Sequence, residues 1–270
     1  MVCFFLLRMI EFFEIFTYAE GDMKLSVVIP TLNEKDYLPK LLRSLATQQS
    51  EGLEIIVVDA SPDDRTRRAA EEPLKAFKHQ KFLQAPERNV SVQRNFGAEQ
   101  ARYDTVLFLD ADVIIPEDVS LEDIVRRFRK LEAVVATCRF APSEKHLLGS
   151  LFFSHILYRF HQFYARRKRA YALGAFIMAD KERFISVGGF DPTIRVNEDA
   201  HLVERMKAEG PFVVFSDRVQ VSLRRFKEDG FVKTTILYLK LWLYRTLRGE
   251  LRDDTITYEF GHYTKNKLEP

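Results

Sequence analysis

The chain has 270 residues, of which 46% are hydrophobic and 30% charged, and its 41 Lys+Arg against 39 Asp+Glu leave a formal net charge of +2. This composition excludes a disordered or fibrous chain, and the charge balance excludes a protein whose main task is coating nucleic acid. The length suits one large domain or two small ones, either able to bury a sizeable core. Two cysteines, Cys3 and Cys138, build neither a disulfide framework nor a cysteine-rich zinc site, so a reducing cytoplasm is the simplest expectation.

Residues 1–22 open with MVCFFLLRMI, an apolar run too short to span a bilayer and without a small-residue cleavage site. The expectation is an extension ahead of Met23 that lies outside the fold, with a weak amphipathic anchor as the alternative. Nowhere do about 18 apolar residues run without a charge, so no transmembrane helix is expected.

From Leu25 the chain alternates between strand-like and helix-like segments. Leu25–Ile29 (LSVVI) predicts a buried strand closed by Pro30, and Lys35–Gln48 carries Leu38, Leu41, Leu42 and Leu45 at helical spacing. Glu54–Val58 (EIIVV) is a second strand, followed by a turn at Asp59–Asp63 and helical sequence towards Phe77. Lys81–Gln84 is a short strand, Val90–Ala101 a helix, Thr105–Leu109 (TVLFL) a strand, Leu121–Leu131 a helix and Ala133–Arg139 a strand. Apolar strands separated by helices predict a mostly parallel sheet covered on both faces, with ligand-binding loops along its carboxyl edge. Further on, His146–Tyr164 is a helix candidate rich in aromatics, ending in a basic run over Arg166–Arg169. Ala175–Ala179 is a strand, Gly188–Gly189 a turn, Glu198–Ala208 a helix, Phe212–Phe215 a strand and Phe231–Arg248 a final helix. The expected organisation is a catalytic unit over 23–226 with a helical C-terminal appendage over 227–270.

Three polar signals follow buried strands: Pro30-Thr31-Leu32-Asn33-Glu34, Asp59-Ala60-Ser61 and Asp110-Ala111-Asp112. Each alone is also what a strand-ending turn needs; three on one sheet edge suggest a ligand. On an extended segment Asp110 and Asp112 point the same way and repel unless a cation joins them. A hard divalent ion completed by phosphate oxygens and water suits such a pair. Glycine-rich phosphate loops, a nucleophile elbow and an HExxH helix are all absent, which disfavours a Rossmann dehydrogenase and a P-loop NTPase. Asn197-Glu198-Asp199 opens a helix, where acids are favoured by the exposed N–H groups, and it also offers a general base.

Taken together, VVIPTLNE, IIVVDAS, the Arg94-Asn95 pair, FLDADVIIP, GGFD and NEDAHLVERM resemble, in order and spacing over roughly Lys24 to Phe226, the inverting family 2 glycosyltransferases with the GT-A fold. The resemblance implies a metal-dependent transfer of a sugar from a nucleoside-diphosphate sugar to an acceptor hydroxyl. It implies that Pro30, Leu32 and Glu34 line the nucleotide pocket, that Asp59 bonds the base and that Arg94 lies near the base or diphosphate. Asp110 would lie near ribose and metal, and Asp112 would ligate Mn²⁺ or Mg²⁺. Asp199 would be the general base and Glu198 would flank the acceptor. Many members carry a histidine ligand after the last strand; Val221-Ser222-Leu223-Arg224-Arg225 has none, so Arg224 or Arg225 is expected to hold the diphosphate instead, with Arg225 placed in the binding set.

The acceptor is expected to be a saccharide or a lipid-linked molecule. The first aromatic helix aligns Phe152, Ile156, Phe160 and Phe163, and the last aligns Val232, Ile236, Leu239, Leu243 and Leu247 with Lys233, Lys240, Arg245 and Arg248 elsewhere. Such basic amphipathic helices either pack on the fold or lie at an anionic membrane, here its inner face. The rival functions are a catalytically silent nucleotide-sugar binding or scaffold protein, a glycosidase with paired carboxylates and no nucleotide, and a nucleotidyltransferase, whose glycine-rich loop is missing from Pro30–Glu34.

Overall fold

A computed structural model of the chain describes residues 23–48, 50–144, 149, 152–165, 167, 170–253 and 255–256. The expectation for residues 1–22 lies outside these, as does part of the His146–Tyr164 helix candidate.

The apolar runs form the strands of one eight-stranded sheet, in the order β3-β2-β1-β4-β7-β6-β8-β5. β1 (Leu25–Thr31) and β2 (Leu53–Asp59) are buried at every position, as continuous apolar runs covered on both faces must be. β1 pairs in parallel with β2 and with β4 (Thr105–Leu109), and β2 with β3 (His79–Gln84). The sheet is mostly parallel, as expected; the exceptions are β7 (Phe176–Asp180), which runs antiparallel to both β4 and β6 (Val135–Pro142), and the short β5 (Val113–Ile114), antiparallel to β8. An apolar run buried on both faces reads the same in either direction, so composition could not reveal this. β8 spans Phe212–Val221, well past the expected Phe215, because its outer half is amphipathic where it pairs with β6.

Period-2 alternation divides the core. Val27, Ile29, Ile55, Val57, Leu107 and Leu109 face α1 (Leu38–Ala46), α2 (Arg65–Leu74) and α4 (Leu121–Lys130). Val28, Ile56, Val58, Val106 and Phe108 face α3 (Val90–Glu99), α6 (Lys181–Ser186) and α7 (Glu198–Glu209). α5 (Tyr158–Ala165) follows a π-helical turn over Phe152–Leu157, and α8 (Arg224–Asp229) precedes α9 (Phe231–Arg248). α6 and α8, six residues each, carry too little periodic pattern to be foreseen.

Two local features aim α3 at the carboxyl edge. Asn89 caps its first turn, accepting from the backbone N–H groups of Ser91 and Val92. Gly97 lets the helix sit directly on the sheet: a Cβ there would stand 2.3 Å from Cγ1 of Val28. Gln93 and Arg94 are thereby buried against the strand ends.

Candidate active site

The register pairs Thr31 with Asp59, so the loops after β1 and β2 leave the sheet level with one another. Asp59 is buried, and its Oδ1 accepts from Thr31 Oγ1 at 2.8 Å, Ser61 Oγ at 2.6 Å and Ser61 N at 3.3 Å. Ser61 Oγ in turn accepts from the backbone N–H of Asn33 at 2.8 Å, and Asn33 adopts the left-handed conformation that Asn tolerates. Gln93 Nε2 donates to the carbonyls of Thr31 at 2.9 Å and Val58 at 2.8 Å. Pro30 is buried inside β1 and Leu32 is half-buried beyond it. Gln93 was not foreseen; Thr31 and Ser61 fell within the polar signals after β1 and β2 but were given no role, although Ser61 lies two residues from Asp59 in an Asx-turn pattern.

Asp110 and Asp112 do not lie on an extended segment. The chain turns at Ala111, with the Val113 N–H donating to the Asp110 carbonyl, and the two carboxylates are held separately. Asp110 Oδ1 takes a bond of 2.8 Å from Arg94 Nη2, while Arg94 Nη1 reaches Glu198 Oε1 at 2.8 Å. Arg94 also lies over the Phe190 ring, 5.0 Å from its centroid. Burial works against its charge, but Asp110 and Glu198 hold its pKa above the ordinary arginine value. Glu198, expected beside the acceptor, is buried against this guanidinium.

On the other side Arg224 makes a fork of 2.9 and 2.8 Å with both oxygens of Glu34, and its Nε stands 3.1 Å from Asp112 Oδ2. It lies 4.8 Å from the Tyr37 ring centroid. The guanidinium that reaches the Asp112 and Glu34 carboxylates is therefore that of Arg224, while neighbouring Arg225 is half-buried. One position at the start of α8 decides which arginine faces the rim. Burial raises the Asp112 carboxyl to about 7; Arg224 opposes this, and Asp110 and Glu34 add to it.

Asp199 sits in the first turn of α7. Its Oδ2 accepts from the backbone N–H of Gly174 at 2.6 Å, and its Oδ1 from that of Ala200 at 2.7 Å. Burial and the neighbouring charge of Glu198 push its carboxyl up to about 7, against the pull of Arg94. Asn197, left-handed at φ 66°, swings the chain into the helix at this point, and Tyr171 Oη donates to its Oδ1 at 3.4 Å. Gly174 is required to be small: a Cβ would stand 2.6 Å from Nη2 of Arg94. Gly174 and Tyr171 carried no signal in the sequence.

Among the described residues no cluster of three or more His, Cys, Asp or Glu stands ready to hold a metal ion. The donor chemistry nevertheless fits a hard cation: Asp112 and Asp110 offer carboxylate oxygens at the mouth of the sheet, as many as Mg²⁺ commonly takes from protein when phosphate and water supply the rest.

With this geometry in place, the sequence matches glycosyl transferase family 2 over residues 26–190. The chain belongs to that family. Its architecture is the GT-A fold: it superposes on PcManGT, a mannosyltransferase from Pyrobaculum calidifontis solved with GDP-Man and Mn²⁺, with a TM-score of 0.63 at 16% identity, over 87% of this chain and 71% of that one. It superposes on S. aureus TarS 1-349 with a TM-score of 0.58 at 21% identity, over 83% of this chain and 66% of that one. TarS has also been solved with UDP-GlcNAc. In sequence the chain is 27% identical over 233 residues to the 4,4'-diaponeurosporenoate glycosyltransferase of Staphylococcus haemolyticus, covering 79% of this chain and 57% of the relative. It is 36% identical over 95 residues to the GalNAc(5)-diNAcBac-PP-undecaprenol beta-1,3-glucosyltransferase of Campylobacter jejuni, covering 33% of this chain and 29% of the relative. The chain thus spans little more than half of the first relative and under a third of the second.

Proposed function

We propose that this family 2 chain transfers a hexose from a nucleoside-diphosphate sugar to an acceptor hydroxyl with inversion at the anomeric carbon. The observation that carries the reading is the placing of Asp199: an acid with its pKa near neutrality, at the same sheet edge as Asp59, Asp110 and Asp112. A base with that pKa is matched to proton abstraction near pH 7. Asp199 accepts the acceptor hydroxyl proton as its oxygen attacks C1 from the side opposite the diphosphate. The Gly174 N–H holds the carboxylate in one orientation, and the Arg94–Glu198 pair fixes the turn of α7 that presents it.

The donor's base and ribose lie along Pro30, Leu32 and Asp59, whose carboxylate is already oriented by Thr31 and Ser61. Arg224 sits where the departing diphosphate gathers charge, and a preorganised cation there stabilises it. Mn²⁺ or Mg²⁺ on Asp112 and Asp110, when bound, neutralises the same leaving-group charge. Residues 23–226 form the catalytic unit and residues 227–270 an appendage, with Arg225 in the binding set beside Arg224. A relative named for a saccharide on PP-undecaprenol supports an acceptor carried on a lipid, and such an acceptor would be met at the inner face of a membrane.

The test is a thermal-shift panel of UDP-, GDP- and dTDP-sugars, with and without Mn²⁺, joined to a turnover assay. One nucleotide raises Tm, and Asp199→Asn keeps that rise while transfer falls by about 10²–10⁴-fold. Near wild-type transfer by Asp199→Asn removes the base assignment. A donor that binds without turnover in the wild type leaves the silent-binding reading in its place.

A further inference from the structure

The helix α9 is amphipathic in an unexpected sense. Thr234 and Leu241 face inward, both essentially buried, and Leu241 packs with Val196 and Leu251. On the far side Val232, Ile236, Leu239, Leu243 and Leu247 stand in solvent, from 47% to 73% exposed. At about 100° per residue these five fall within an arc of roughly 80°, so they form one straight ridge along the helix. A ridge of five aliphatic side chains facing water is costly, and on a soluble surface it marks a docking site.

The charge pattern identifies the partner. α9 carries Lys233, Lys240, Arg245 and Arg248 and no acidic residue. Arg245 is spent inward on Glu204 and Glu250. Lys233 and Lys240 border the ridge along one side; both are exposed, and neither makes an ion pair or hydrogen bond among the described residues. Next to α9, Trp242 packs against Phe160 of α5. That helix and the turn before it add two more exposed apolar side chains, Ile156 and Phe163. The exposed Arg159 of α5 and Arg167 just beyond its end, with Gln162 and Phe163, line an open groove of about 520 Å³. A second copy of the chain fits poorly, because pairing two ridges about a two-fold axis sets lysine against lysine with no acid on the helix to answer them.

We propose that the α9 ridge, with Ile156 and Phe163, docks in the plane of an anionic lipid surface. The aliphatic side chains enter the boundary between headgroups and acyl chains, and Lys233 and Lys240 beside them meet the phosphates. Phe160 connects this face to the site, since it packs on Tyr171, which bonds Asn197 at the start of α7. The inference deepens the lipid-borne-acceptor reading and rests on it for its purpose: the docked surface would hold the site beside an acceptor that cannot leave the membrane.

The experiment is co-sedimentation of the full chain with phosphatidylcholine vesicles, with and without phosphatidylglycerol, at low and high salt. The wild type is expected to sediment with the anionic vesicles, less so at high salt. Leu239→Ser/Leu243→Ser is expected to bind them at least tenfold more weakly at either salt. Lys233→Gln/Lys240→Gln is expected to lose roughly tenfold on anionic vesicles and nothing on neutral ones. All four positions are exposed, so the Tm rise caused by a nucleotide sugar should be the same in every protein and serves as the folding control. The proposal is overturned if the wild type leaves anionic vesicles in the supernatant at low salt, or if Leu239→Ser/Leu243→Ser binds like the wild type. It is equally overturned if the wild type is a dimer in solution that this double substitution splits, which would make the ridge a contact between copies. Vesicle binding that persists when no nucleotide sugar shifts Tm in any protein would sustain the lipid surface while removing the transferase reading.

Discussion

Two arginines stand on the carboxyl edge of the sheet, each between two carboxylates, and they differ in depth. Arg94 comes from α3 beneath the rim; its side chain is 3% exposed and joins Asp110 to Glu198. Arg224 comes from α8 above the rim; it is 21% exposed and joins Glu34 to Asp112. The same pairing has different consequences in the two places. Removing the partner of a deeply buried charge leaves that charge stranded, whereas water can replace part of what the shallower pair supplies. Arg94 therefore belongs to the framework that orients Asp110 and α7, while in the proposed function Arg224 exchanges its carboxylates for a donor's diphosphate.

The largest expected difference is in stability. Arg94→Met strands Glu198 in the interior and should cost about 3–5 kcal/mol, read by chemical denaturation, with a matching fall in Tm. Arg224→Met should cost less, about 1–3 kcal/mol, and its larger effect should fall on binding: roughly tenfold weaker affinity for the nucleoside diphosphate, measured by calorimetry. Equal destabilisation by the two substitutions would erase the distinction.

The next prediction concerns pH. The Asp199 carboxyl is raised from 3.8 to about 7, so the folded state holds its proton more tightly than the unfolded one. Its contribution to stability is complete below pH 4 and is lost as pH rises through 7. Asp199→Asn should thus be more stable than the wild type at pH 8, on the order of 2 kcal/mol at about 1.4 kcal/mol per unit with allowance for relaxation, and the advantage should vanish near pH 4. Activity runs the opposite way: kcat/KM in the wild type should fall with unit slope below about pH 7, as the base becomes protonated. An activity profile flat from pH 5 to 8 would contradict the base assignment.

The smallest expected effect is at Gly174. Alanine there presses on Arg94 Nη2, the far end of a flexible side chain that has to move aside, and the cost should be about 1 kcal/mol. Transfer should fall more than donor affinity, since the N–H of Gly174 orients Asp199 while the nucleotide loops lie elsewhere.

The amino-acid sequence by itself determined the strands of the nucleotide half and the residues at their ends. Runs such as LSVVI, EIIVV and TVLFL have one stable use, a strand covered on both faces, and the acids that follow them must emerge at the sheet edge. The tertiary structure alone decided four things. It ran β7 against its neighbours, a direction that a symmetric apolar run does not encode. It curled Asp110–Asp112 into a turn and gave each carboxylate its own arginine, through contacts 16 and 112 positions apart in the chain. It turned Arg224 towards Glu34 and Asp112 at the first position of α8. On α9, periodicity defined the ridge, but only the packing of Leu241 on Val196 and Leu251 showed which face turns inward. In each case periodicity and composition act over a few residues, while direction, pairing and choice of face are set by atoms that folding brings together from distant parts of the chain.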